Sequence, residues 1–133
     1  MSGITSIRAA LETALNGMTP AISYAWENKA FIPLAGTPYA KVNLLPAQPD
    51  NSEYGSNYVE QGIFQITLMY PLQTGPADAA ARAELLRTTF ARGNSFVSGG
   101  ITVIINKTPE ISLGSVDGDR WAVPVKIRWF AYV

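Results

Sequence analysis

The sequence has no cysteine and no histidine in its 133 residues. The first absence excludes disulfides, thiolate nucleophiles and the common Cys-based zinc sites, and it suits a reducing compartment. The second removes the usual general base of an acyl-transfer triad and the usual transition-metal ligand, so the obvious hydrolase and zinc readings fail at their first step. Net charge is missing too: ten Lys and Arg offset ten Asp and Glu, scattered singly along the chain. No basic face is available for counterion release, so specific nucleic-acid binding is not expected. No apolar run approaches the ~20 residues of a membrane span, and the opening MSGITSIRAA lacks the basic-then-apolar layout of a signal peptide. The expected setting is the interior of a cell, away from membranes.

What is present is hydrophobic periodicity. In Ile63–Tyr70, Gln65 and Thr67 alternate with Phe64, Ile66, Leu68 and Tyr70, the pattern of a half-buried strand. Pro71, Gly75 and Pro76 end it in a turn. A helix follows over residues 76–92, with Pro76 at its first position and Asp78 in its first turn. Leu86 and Phe90, widened by Ala79, Ala83 and Leu85, form its apolar stripe; Asp78 and Arg82 form an exposed i,i+4 pair; Gly93 supplies the residue after its C-terminus. A first helix over residues 3–16 is capped by Ser2 and carries Ile4, Ile7, Leu11, Leu15 and Met18 at steps of three and four.

Ala21–Trp26 reads as a short strand and Tyr39–Leu45 as a longer one. Between strands, Ala47–Asn57 is polar and rich in turn formers, which points to a mobile loop. Ile101–Ile105 and Glu110–Val116 make two more strands, and Val116-Asp117-Gly118-Asp119 is a hairpin turn. The last strand, Arg120–Val133, sets Trp121, Val123, Val125, Ile127 and Trp129 against Lys126 and Arg128, and Pro124 within it places that end at a sheet edge or bulge. The order α-β-β-β-α-β-β-β is that of a single α+β domain spanning residues 1–133, a mainly antiparallel sheet packed by two helices.

Patterns that carry chemistry are weak. Asp117 and Asp119 lack calcium-loop spacing and have a sufficient reason in the hairpin. Gly75 before a helix lacks the Lys of a phosphate loop, and Asp78 would repel an anion. No catalytic residue, metal ligand or cofactor is assigned. Trp121 and Trp129 belong on the core-facing side. Trp26, Phe31, Tyr54 and Tyr58 fall in or beside irregular segments, where an aromatic either binds a partner or folds back over the core.

Trp26-Glu27-Asn28, then Phe31 and Pro33, then Gly36-Thr37-Pro38-Tyr39 opening a strand, resemble the entry segment of tail terminator-like proteins of long-tailed bacteriophages. Gly62-Ile63-Phe64-Gln65-Ile66, Tyr70-Pro71, Gly75 and a helix ending in Phe90 look like that family's strand, turn and helix. Pro124-Val125-Lys126-Ile127-Arg128-Trp129 resembles its final strand. The resemblance implies a structural virion protein, not an enzyme. It would form a ring, expected to be a hexamer, at the head-proximal end of the tail tube, stop tube polymerisation and join tail to head, after assembly in the host cytoplasm. Its partners would be itself, the tail tube protein and the head-tail connector protein. The contrasting reading is a small-molecule-binding domain or a carboxylate-based enzyme, which needs a pocket around Glu27, Glu60 or Glu84.

A ring of identical heterologous contacts requires two different patches per subunit. Candidates are the Trp26–Pro38 segment, with Trp26, Glu27, Asn28, Phe31 and Pro33, and the Ala47–Asn57 loop, with Asp50, Glu53, Tyr54 and the adjoining Tyr58. Ordering that loop has to be offset by new contacts. Fast amide exchange over residues 47–57 is therefore expected in the free protein, and strong protection there would count against it.

Overall fold

The computed structural model describes residues 3–18, 22–27, 29, 31–33, 36–48, 58–73 and 75–132. Their elements run α1 (Gly3–Asn16), β1 (Ser23–Ala25), β2 (Tyr39–Pro46), β3 (Val59–Pro71), α2 (Ala77–Thr89), β4 (Ser95–Ser98), β5 (Ile101–Ile105), β6 (Glu110–Ile111), β7 (Ser115–Asp117) and β8 (Arg120–Tyr132). The spine is β3 against β8, thirteen residues each, antiparallel in one unbroken register from Val59↔Tyr132 to Pro71↔Arg120. On the outer side of β3 lies β2, antiparallel, and beyond it β1, parallel to β2. The other side of β8 is shared end to end by β5, β6 and β7, and β4 pairs with β5 as the far strand. This is the α+β architecture expected from the periodicity.

Alternation decides the faces. Val42, Leu44, Phe64, Ile66, Leu68, Val125, Ile127 and Trp129 all point to the side that the helices cover, and all are buried. From α1 they meet Ile7, Leu11 and Leu15, and from α2 Ala79, Ala83 and Leu86. Phe90, just past α2, seats its ring 6.0 Å from that of Phe64 and 5.2 Å from that of Phe96. On the opposite face the described buried residues form one small cluster, Tyr39, Met69 and Ala122, beside Ala25 and Phe31. Gly62 is required where β2, β3 and β8 run side by side: a Cβ there would stand 2.5 Å from the Leu45 carbonyl oxygen and 3.0 Å from the Trp129 ring.

Several expectations are corrected. Arg82 is not in an exposed pair with Asp78; it is 5 % exposed, because three residues after Ala79 and four before Leu86 place it on the sheet-facing stripe. Its aliphatic stem belongs to the core surface, and its Nη1 is buried without a hydrogen-bond partner. Nor does α2 reach residue 92. It stops at Thr89 so that Phe90 enters the core, and the Asn94 side-chain amide, donating to the Thr89 carbonyl at 3.1 Å, ends it in place of Gly93. Gly93 serves the next turn, with φ of 91° and its N–H donating to Ile105. Ser2, the expected cap of α1, lies outside the described residues.

The expected strand Glu110–Val116 is two short ones, and Pro124 explains why. Rather than lying at an edge, Pro124 is central, opposite Thr67 in β3. Its carbonyl accepts the Ser112 N–H at 2.9 Å, so its ring nitrogen faces the same neighbour, where a ladder donor is missing. The partner strand breaks there, and between β6 and β7 the register against β8 steps by one residue, which is a bulge. Gly114 lies in that bulge over the Trp121 indole, where a Cβ would come within 2.4 Å of the ring. The hairpin after Asp117 forms as expected, with Gly118 at φ 60°.

Because Leu86 and Phe90 are fully enclosed, Leu86→Ala and Phe90→Ala are each expected to destabilise the fold by about 2–5 kcal/mol. Denaturant midpoints close to wild type for both would show that this face of α2 is not core.

Candidate assembly surface

The two candidate patches differ in what the fold has done with them. Trp26 follows β1 and lies half-buried against the main core, its ring centroid 5.2 Å from that of Tyr24. Tyr24 in turn donates its hydroxyl to the Leu15 carbonyl at 3.1 Å, and burial raises the pKa of that phenol against the opposing charge of Arg82. Phe31 packs on the other face, 5.0 Å from the Tyr39 ring. The two aromatics therefore do not share a patch. Tyr39 also lies under the Arg120 guanidinium, 5.0 Å from the ring centroid, and Arg120 donates to the Thr37 carbonyl, so β8 anchors the chain just before β2.

Glu27 has a structural role that the sequence did not signal. Since β1 covers β2 only at Tyr39–Lys41, the Leu44 N–H lies beyond its reach, and Glu27 Oε1 accepts it at 2.6 Å. Arg8 of α1 donates to the same oxygen at 2.9 Å and also reaches Glu12 at 3.3 Å. One carboxylate thus ties α1, the segment after β1 and the edge of β2 together. Partial burial pushes its pKa up, but the Leu44 N–H and the Arg8 guanidinium outweigh this and hold it below the ordinary carboxylate range.

Pro33 is exposed and Tyr58 half-buried where β3 begins. Asn28, Asp50, Glu53 and Tyr54 lie outside the described residues, as does the loop from 49 to 57. Its first residues are tied down: Ala47 donates its N–H to the Gln61 carbonyl at 2.8 Å, and the Gln61 side chain donates to the Gln48 carbonyl at 3.2 Å. Among the described residues, no carboxylate lines the clefts at Pro71–Pro76 with Trp121, at Ser23 with Phe31–Tyr39, or between α1 and β4.

A family model described as phage tail terminator protein matches residues 6–129. The chain belongs to the phage tail terminator family. That makes it a structural protein of the phage tail. Among the six chains of solved structures that match this terminator, one is 25 % identical, with a TM-score of 0.77 over 96 % of this chain and 93 % of its own, a likeness of the whole fold. No curated protein matches.

The surface of the terminator adds residues the sequence reading passed over. Ile32, Val97, Leu113, Val116 and Tyr132 are large apolar side chains left exposed. Among the described residues, no helix is long and apolar enough to cross a membrane. The strand carrying Val97 was missed although its signal was present: Ser-Phe-Val-Ser, then Gly99 and Gly100 with φ of 57° and 81°, then β5 is a two-residue hairpin.

The Glu27 knot gives a pH test. A carboxyl whose folded pKa lies below its unfolded one contributes stability above the unfolded value and loses it as pH falls through the folded one. Unfolding free energy measured from about pH 7 to about pH 3 is expected to fall less steeply in Glu27→Gln, which starts lower, than in wild type. Parallel curves would show that the knot does not contribute.

Proposed function

We propose that this terminator assembles as a ring, a hexamer, on the head-proximal end of the tail tube, where it stops tube polymerisation and joins the tail to the head. The family match over residues 6–129 carries this reading. Its partners are then a second copy of itself, the tail tube protein and the head-tail connector protein, and its place is in the virion after assembly in the host cytoplasm. These contacts are assigned to the sheet face that the helices do not cover, the segment around Trp26–Pro38 and the Ala47–Asn57 loop, including Asp50, Glu53, Tyr54 and Tyr58. Specific interfaces bury on the order of 800 Å² per partner and lean on aromatic anchors. Trp26 and Phe31 also brace the two clusters, so any assembly defect in their Ala variants has to be read beside stability.

Native mass and negative-stain imaging, with and without tail tubes, test the proposal. Rings on tube ends, and overlong tails when the protein is withheld, are expected. A purified protein that neither forms rings nor associates with any tail or connector component would overturn it.

A further inference from the structure

Apart from β6 and β7, each paired with β8 alone, the sheet ends in β4 on one side and β1 on the other, among the described residues. The β4 edge has a defined hydrogen-bonding phase. In a two-residue hairpin the residues flanking the loop form the bonded pair, so Ser98 bonds to Ile101 and Phe96 to Val103. The Ile105 N–H donating to the Asn94 carbonyl at 2.9 Å fits the same phase. The N–H and C=O groups of Ser95 and Val97 therefore point away from β5. Beside β4 lies a groove of about 520 Å³ whose other wall is the small-residue side of α1, Ala9, Ala10, Thr13 and Ala14. None of the described residues that line the groove is charged, and the outward backbone donors and acceptors of Ser95 and Val97 run along its β4 side. Such an edge suits an extended chain.

We infer that β4 is one half of a self-assembly contact, and that the strand it accepts is the β1 edge of a second copy, so that the sheet continues from one subunit to the next. Three observations favour a second copy. The two free edges are different surfaces at opposite ends of one sheet, which is what a heterologous, ring-closing contact requires. Phe96 points into the core, so Val97, 67 % exposed, stands on the outer face. Ile32, 87 % exposed, follows Phe31, which packs on Tyr39 of that same outer face near β1. Edge-to-edge pairing would set these two apolar side chains on one face of the continued sheet, where each removes the other from water. The inference rests on the ring reading and gives it its contact.

The test is mass measurement of the full chain with hydrogen exchange. Val97→Pro deletes an outward N–H without removing a rung to β5, and a proline is tolerated at a free edge. It is expected to keep the wild-type fold by circular dichroism and to lose the ring-mass species. Val97→Lys and Ile32→Glu are each expected to lower ring mass, and their combination to restore it, which fold damage would not do. In wild-type rings the Ser95 and Val97 amides should gain protection relative to diluted monomer. If Val97→Pro is folded and still forms rings, or the Ser95 and Val97 amides exchange equally in ring and monomer, the β4 contact is wrong while the ring stands. Should Val97→Pro unfold, failure of the charge pair to rescue overturns the contact. Wild type that never forms rings, alone or on tubes, overturns both.

Discussion

Everything in this protein depends on the thirteen-rung pairing of β3 with β8. These strands lie far apart in the chain, so their pairing closes a long loop, and that entropy is offset only when the apolar residues of both strands come onto one face together. Phe64, Ile66 and Leu68 from one strand and Val125, Ile127 and Trp129 from the other meet that condition. A shift of either strand by one residue would turn its three to the outer face, so burial holds the register. The remaining strands attach to this pair, and both helices cover the side it makes apolar.

The same constraint leaves a working surface. With both helices on one side, the described buried residues of the outer face are the Tyr39, Met69 and Ala122 cluster, and the same face carries Lys41, Gln65, Lys126 and Arg128. A structural protein of the phage tail acts through such surfaces and through sheet ends. The fold treats its two ends differently. Beyond β1 the exposed amide of β2 is closed by Glu27, held by Arg8, which stops further pairing at Leu44. At β4 no described side chain does this, and the edge stays available. Edges are ordinarily blunted in proteins that must remain alone; capping one amide of β2 while β1 and β4 keep their outer edges suits a protein that joins others on chosen sides.

Local signals were legible wherever one residue's environment decides its place. The strand alternation, the first helix, the Asp117-Gly118 hairpin and the core roles of Phe90 and Trp129 all follow from spacing, because a period of two or 3.6 puts the same residues on one face in any context. Arg82 misled for the opposite reason. Its position on the stripe was readable, but a charge is assigned to solvent by habit, and only the neighbouring elements show that its stem is enclosed.

Sequence by itself determined the class of the protein: an α+β sheet with two helices, free of the cysteine and histidine chemistry of most enzymes, with motifs resembling those of tail terminators. The tertiary structure alone decided where Pro124 sits, that Glu27 closes the β2 amide beyond β1 while the β4 edge is left open, and that Trp26 and Phe31 lie on opposite faces. The physical reason is common to all of these. Each depends on which strand becomes whose neighbour, and neighbours in a sheet are set by long-range burial, to which the local pattern of a strand contributes a face but not a partner.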